Sequence, residues 1–507
     1  MIQPYRLASG GRIDRSRVLP FQFGDGEYEG HPGDTLASAL LANGVRLVGR
    51  SFKYHRPRGF FAAGPEEPSA LVQLEAAAFA EPNRLAPDIP LYNGLRASRQ
   101  HAWPSLNFDL GAFADRAAPF LPAGFYYKTF IRPAAAWRWL WEPALRHMAG
   151  LGRAPDEPDP SRYDHAHAHC EVLVVGGGPA GLAAALAAGQ SGARVILADG
   201  DVEFGGTLLR RYERIGDQDG AAWAVSMVAE LAALPEVRLL PNTTVLGGYD
   251  GNYAVAAERI GDLIGPNAPP ELPRHRLWHI RARRIVVATG TIERPLVFTD
   301  NDRPGIMLAG AAETYLNRYG VAAGRRAVLF TNNDDAYGVA LALADAGVAV
   351  AAIVDLRAEP GEAASAAVEG ISLYPAHAVV ATAGRHSLRR IWVRSLAGGA
   401  RRPIDCDLLA VSGGWNPAIH LFAQAQGPLR YDHGIAAFVP AAAGDGIECA
   451  GSANGAFSLA ECLVEGAATG ASAAISCGFA AGTWEPPSVE PQGPEAPVAP
   501  VWLVPGA

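Results

Sequence analysis

The chain has 507 residues, 49% of them hydrophobic and 19% charged, with a formal net charge of −8. That length exceeds one hydrophobic core and calls for two or three domains, and that composition excludes a disordered chain. The acidic balance leaves no electrostatic case for nucleic acid or an anionic membrane surface; Arg281, Arg283 and Arg284, and Arg325 with Arg326, read as solvated faces or strand flanks.

The N-terminal run MIQPYRLASGG has no apolar stretch or cleavage-like site, which argues against secretion, so a cytoplasmic location is expected. Residues 1–100 read as a β-grasp, ferredoxin-like domain. Leu19 to Phe23 alternates as a strand, and Asp34 is expected to cap a helix through Leu36, Ala39, Leu40 and Leu41 that ends at Asn43-Gly44. Ser69 to Leu74 reads as a returning strand. A two-iron cluster needs C-x4-C-x2-C ligands. No cysteine precedes Cys170, so the domain is expected to carry no iron–sulfur cluster.

Residues 101–165 form a Pro- and Trp-rich connecting segment. His165, His167 and His169 alternate with Cys170 on an extended chain, a poor chelation geometry, so they read as a lead-in to a strand and no metal is expected. Cys170, Cys406, Cys449, Cys462 and Cys477 show no C-x-x-C spacing and read as buried free thiols.

From residue 166 the pattern becomes strand, glycine turn, Ala-rich helix and strand. Val172 to Gly189 is apolar enough to suggest a membrane span, but its glycines and Pro179 would break a lipid-exposed helix. The turn reads Gly176-Gly177-Gly178-Pro179-Ala180-Gly181. Gly176 permits the tight turn, Gly178 the approach of a pyrophosphate, and Gly181 close helix–strand packing, while the helix N-terminus faces the phosphates. Asp199 stands 18 residues after Gly181, where a carboxylate accepts bonds from an adenosine ribose and repels a 2′-phosphate. NAD or FAD is therefore favoured over NADP. Gly206 and Thr207 are expected to close over the pyrophosphate, Val245 to lie beside the adenine, and Thr289 with Gly290 to mark the passage between domains. Ordinary turn capping and core packing compete as explanations for Thr207 and Val245. The absence of a cysteine pair near Gly206 excludes a disulfide reductase.

The domain runs over 166–300 and 406–482, with a second βαβ unit, 301–405, inserted in it. The inserted unit's turn, Asn332-Asn333-Asp334-Asp335, lacks the first glycines and offers two carboxylates, so one dinucleotide per chain is expected. Near the end, Gly451, Ser452, Phe457 and Leu459 are expected beside the ring half of the ligand. Glutathione-reductase-like flavoproteins have an aspartate where Ser452 stands, which moves the expectation from FAD towards NAD. Residues 483–507 read as a Pro-rich linker followed by VWLVPGA, an apolar piece with no partner in the chain. The fold class is α/β, a glutathione-reductase-like arrangement of two dinucleotide-binding domains behind the β-grasp domain. No catalytic triad or carboxylate pair can be picked out, so the catalytic residues stay unassigned.

The strings GRSFKYHRPRG (49–59), WPSL (103–106), AGFYYKTF (123–130), HAHCEVLVVGGGPAGL (167–182), EFGGTLL (203–209), DNDRPGIMLAGAAETYLNRYG (300–320), VLFTNNDDAYGVA (328–340) and SGGWNPAIHL (412–421) carry a family resemblance. With them the chain resembles the alpha subunits of heterotetrameric sarcosine oxidases, and more distantly those of dye-linked opine and proline dehydrogenases. The resemblance implies NAD at the glycine turn, FAD on a beta subunit where the amine is oxidised, and FMN shared at the alpha–beta boundary. It also implies hydrogen peroxide as product and small gamma and delta subunits. Family members continue into an aminomethyltransferase-like domain, so folate chemistry is not assigned to these residues. Two alternatives remain: an alpha subunit holding FAD in a dye-linked dehydrogenase, and an assembly subunit whose NAD is structural.

Overall fold

The computed structural model describes residues 3–116, 118, 124, 132–480, 482, 484–489 and 496–504. Apart from Gly124, the AGFYYKTF string lies outside the described residues, as do parts of the Pro-rich segment. Strands β1 (Leu19–Phe23) and β2 (Gly26–Gly30) form a hairpin in which Leu19, Phe21 and Phe23 point inward and Pro20 and Gln22 outward. Helix α1 (Leu36–Ala42) is buried at every residue. Its cap is Thr35, not the expected Asp34: the Thr35 hydroxyl accepts the Ser38 N–H at 3.2 Å. Asp34 is already committed, to Arg6 at 2.7 Å and to the Ser38 hydroxyl at 2.7 Å. Strands β3 (Leu71–Leu74), β4 (Glu81–Leu85) and β5 (Arg96–Arg99) complete a five-stranded sheet in the order β2-β1-β5-β3-β4.

Strand β3 begins later than the sequence suggests because the Ser69 and Ala70 N–H groups are taken by a side chain. Buried Glu67 accepts them on Oε1 at 2.7 and 3.0 Å, and accepts Phe61 and Ala62 N–H on Oε2 at 2.7 and 2.8 Å. One carboxylate thus holds both ends of the loop from residue 59 to residue 70, satisfying four backbone donors, two of them buried.

The next sheet contains β6 (Tyr163–Val175), β7 (Val195–Ala198), β8 (Val237–Leu240), β9 (Thr243–Tyr249), β10 (Tyr253–Arg259) and β11 (His275–Val287), in the order β8-β7-β6-β11-β10-β9. The first four in that order run parallel. Cys170 to Val175 and all of β7 are buried on both faces, as a covered parallel sheet requires. Earlier in β6, His165, His167 and His169 face solvent while Cys170 faces the core. Among the described residues no group of three or more His, Cys, Asp or Glu is arranged to hold a metal ion. Helix α2 (Pro179–Gly189) links β6 to β7 and is buried at every residue, and α3 (Gly220–Ala233) follows.

The inserted unit is a second, wholly parallel sheet of β12 (Ile306–Leu308), β13 (Arg326–Thr331), β14 (Ala349–Asp355), β15 (Leu373–Tyr374) and β16 (Leu408–Ser412), ordered β12-β16-β13-β14-β15. Helix α4 (Ala309–Asn317) follows β12, and α5 (Asp335–Asp345) joins β13 to β14. The chain then returns to the first sheet: β17 (Ile447–Cys449) pairs with the end of β11, and α6 (Leu459–Ser476) lies on α2. Gly466 and Gly470, four apart on one face of α6, permit that contact. A Cβ on them would stand 2.2 Å from the Ala180 carbonyl oxygen and 2.1 Å from that of Ala184.

The C-terminal apolar piece has a partner after all. Leu503 bridges Val297 in parallel, Val504 is 2% exposed, and the Trp502 indole N–H donates to the Gly413 carbonyl at 2.9 Å. Apolarity marked the segment for burial, but nothing local to it names Val297 as the neighbour. Among the described residues no helix is long and apolar enough to cross a membrane.

Candidate functional site

Between the sheet of β6 to β11 and α4 lies a cleft of about 350 Å³ that begins at the glycine turn. Gly176 has φ +102°, and a Cβ there would sit 2.2 Å from the Ala288 carbonyl oxygen. A Cβ on Gly181 would sit 1.8 Å from the Gly176 carbonyl oxygen. Both glycines are therefore demanded by packing. Gly178 differs: its φ is −74°, and the nearest atom to an added Cβ is the Gly206 Cα at 3.9 Å. Its open side faces the cleft. As N-cap of α2 it offers no side-chain acceptor, so the first N–H groups of the helix are left for another partner.

The sheet order sets the cleft's two flanks. Strand β7, ending at Asp199, lies on one side of β6; β11, leading into Thr289, Gly290 and Glu293, lies on the other. On the first flank Asp199 accepts the Gly177 N–H on Oδ2 at 2.5 Å and the Asp201 N–H on Oδ1 at 2.7 Å. Burial pushes its carboxyl above the usual carboxylate range. Arg318 donates to Asp201 Oδ1 at 2.8 Å, and this pairing outweighs burial and holds Asp201 low.

The roof is one face of α4, where Gly310, Ala311, Thr314 and the C-cap Arg318 line the cleft at helical spacing. At a rise of 1.5 Å per residue, Gly310 and Arg318 are about 12 Å apart along the helix axis. Arg318 closes the Asp201 end, and Gly310 closes the Glu293 end by donating its N–H to Glu293 Oε2 at 2.8 Å. Glu293 is buried, 6% exposed, and desolvation raises its pKa to about 8. Nearby, Asp335 accepts from the Trp415 indole N–H at 2.9 Å and pairs with Arg211, while Arg210 pairs with Glu313 and lies 5.1 Å over the Trp415 ring.

Ten of the residues singled out from the sequence line this cleft: Gly176, Gly178, Pro179, Ala180, Asp199, Gly206, Thr207, Thr289, Gly290 and Ser452. Thr289 spends its hydroxyl on the Ala418 carbonyl at 2.6 Å. The others stand outside the lining. Gly181 lies behind the turn; Gly451 donates its N–H to Glu465 at 2.8 Å; Val245 is half-buried against the core of the first sheet. Leu459 is a core residue at the start of α6, and Phe457 is half-buried just before it. Sequence reasoning missed Glu66, Asp201, Arg210, Glu293, Thr314, Arg318 and Trp415. For Glu293 the one local signal was an acid three residues past the A-T-G turn that follows a buried strand.

At the inserted unit's turn, Asn332 donates to the Ala499 carbonyl at 2.7 Å and accepts the Ala499 N–H at 3.1 Å through its own carbonyl. Asp334 accepts the Ala496 N–H at 2.7 Å and pairs with Arg357 at 2.7 Å. The chain's own C-terminal segment thus takes the hydrogen bonds of that turn.

Among known proteins, residues 16–102 match the model of a 2Fe-2S iron-sulfur cluster binding domain, and residues 171–212 that of an FAD dependent oxidoreductase. The chain is 46% identical to the sarcosine oxidase alpha subunit of Rhizobium meliloti (strain 1021) over 503 residues, 99% of this chain and 50% of the relative. It is a homologue of sarcosine oxidase alpha subunits. The alpha subunit of Corynebacterium sp. (strain P-1) is 41% identical over 514 residues, 99% of this chain and 48% of that one. The chain therefore spans about half the length of the curated sarcosine oxidase alpha subunits it matches. An opine oxidase subunit from Agrobacterium tumefaciens (strain Ach5) is 31% identical over 197 residues, 38% of this chain and 37% of that one. The crystal structure of L-proline dehydrogenase from P. horikoshii shares the fold, with a TM-score of 0.65 at 22% identity over 97% of this chain and 81% of that one.

One expectation is corrected here. The N-terminal domain was expected to carry no iron–sulfur cluster, yet its match is to a 2Fe-2S cluster binding domain. The match spans residues 16–102 as a whole, beyond the loop where cluster ligands were sought. Residues 16–102 hold no cysteine, and Glu67 occupies the centre of the loop from 59 to 70, so these residues do not supply the thiolates of such a cluster.

Proposed function

We propose that the cleft holds one adenine dinucleotide, NAD, and that the chain is the dinucleotide-binding part of an alpha subunit in an oxidoreductase complex acting on CH–NH donors such as sarcosine. Beta, gamma and delta subunits complete that complex, and the amine chemistry resides in a partner subunit. The observation that carries this reading is Gly178, an α2 N-cap whose side-chain position opens into a cleft flanked by Asp199. A pyrophosphate set against the open side of Gly178 meets the first N–H groups of α2, and the Asp199 carboxylate accepts from the adenosine ribose. Arg318 is engaged by Asp201, which leaves a 2′-phosphate facing carboxylates and favours NAD over NADP. The neutral Ser452 supports NAD; the FAD dependent oxidoreductase match over 171–212 favours FAD as the second reading. The nicotinamide ring supplies hydride acceptance when bound, and the chain's residues orient it and bury its phosphates.

Titrating Asp199→Ala with NAD and NADP tests the reading. NAD affinity is expected to fall by about tenfold or more, the worth of a charged hydrogen-bond acceptor, and the preference over NADP to shrink. Equal NAD affinity in the variant and the parent chain would overturn it.

A further inference from the structure

The end of the cleft opposite Asp199 holds a polar atom without a partner. Glu293 is 94% buried by its 6% exposure, and its Oε2 is used by the Gly310 N–H at 2.8 Å, whereas its Oε1 has no hydrogen-bond partner. The Ser412 hydroxyl lies beside the carboxyl and favours its charged form without closing a bond on Oε1. Gly310 keeps the space narrow: a Cβ there would stand 2.9 Å from Glu293 Oε2 and 2.9 Å from the Trp415 ring. An orphaned carboxyl oxygen in a ligand-sized cleft is costly unless something meets it.

We propose that Glu293 receives the ring end of the bound dinucleotide, with Oε1–H donating a hydrogen bond to the amide carbonyl that nicotinamide and flavin rings share. This rests on the dinucleotide reading given above. The position fits the length of such a ligand, because α4 separates the Gly310–Glu293 end from the Arg318–Asp201 end by about 12 Å. The donor requires a protonated carboxyl, and the surroundings maintain one. Burial is the largest influence on Glu293 and raises its pKa to about 8, and Asp335 at the start of α5 adds to the rise. Arg210 opposes it but is itself paired with Glu313 on α4. Arg211 is committed to Asp335, and Glu66, from the N-terminal domain, lines the same cleft with its pKa raised by desolvation. A carboxyl kept neutral by burial can donate a hydrogen bond, which a carboxylate cannot.

The sign of the pH dependence follows: the donor is present below pH 8 and lost above it. Calorimetric titration of the full chain with NAD, FAD and ADP-ribose from pH 6 to 9.5 tests the inference. The dinucleotide that binds is expected to weaken about tenfold between pH 7 and pH 9, the change in the protonated fraction of a group titrating near 8. ADP-ribose, which has no ring amide, is expected to show no such slope. Glu293→Gln keeps an N–H donor at that corner, so it should bind within about threefold of the parent at pH 7 and lose the slope. A flat profile in the parent chain, the same slope with ADP-ribose, or a slope surviving in Glu293→Gln would overturn the role of Glu293 alone. Failure of all three nucleotides to bind at any pH would overturn the dinucleotide reading and this inference with it.

Discussion

Gly178→Ala is expected to fold as the parent chain does and to lose about a hundredfold in dinucleotide affinity. Its φ of −74° suits any L residue, and the nearest atom to the new methyl is 3.9 Å away, so the folded chain gives up no more than about 1 kcal/mol, the difference between Gly and Ala at an N-cap. The methyl would occupy the space where the pyrophosphate approaches the backbone, and overpacking of that order costs about 1–3 kcal/mol. The check is a pair of measurements on one preparation: a thermal midpoint within about 3 °C of the parent, and a nucleotide titration. Gly181→Ala makes the contrast, because its methyl meets the Gly176 carbonyl oxygen at 1.8 Å and must disturb the turn itself.

Gly470→Val strikes the support beneath the same turn. Its Cβ would lie 2.1 Å from the Ala184 carbonyl oxygen, a backbone atom that no rotamer change can move aside. Helices α2 and α6 must separate, at a cost of about 3 kcal/mol or more. The thermal midpoint should fall by about 5 °C or more. Because α2 carries Ala180 in its first turn, dinucleotide affinity should fall with stability here, whereas the two separate in Gly178→Ala. A Gly470→Val chain as stable as the parent would show that the helix contact is looser than described.

The glycine turn also marks what was legible in the sequence. Gly176 and Gly181 announce a turn because few other residues allow the backbone to cross itself so closely, and the following Ala-rich run announces a helix buried all round. Such local chemistry is readable from a short window. The roof of the cleft is not. Gly310, Thr314 and Arg318 arrive from an inserted unit more than a hundred residues after Asp199, and Glu66 from another domain. No window contains both sides of that contact. Val245, Phe457 and Leu459 illustrate the converse: their spacing along the chain suits a ligand, but the fold turns Leu459 into the core and leaves the other two outside the lining.

Competition between neighbours limited the local reading as well. Asp34 and Thr35 are both good N-caps, and the commitment of Asp34 to the distant Arg6 and to the Ser38 hydroxyl decides between them. Likewise the start of β3 depends on Glu67, which removes two donors from the ladder. The C-terminal VWLV was legible as apolar but not as a neighbour of Val297, 206 positions before Leu503. The iron–sulfur expectation went wrong for a related reason: it weighed ligands alone, whereas the domain match covers residues 16–102.

The most direct test is to denature the purified chain and identify and count the nucleotide it releases after saturation with NAD and FAD together and removal of the excess. One NAD per chain is the predicted result. One FAD per chain would contradict the assignment of NAD, and release of no nucleotide would contradict the cleft as a dinucleotide site.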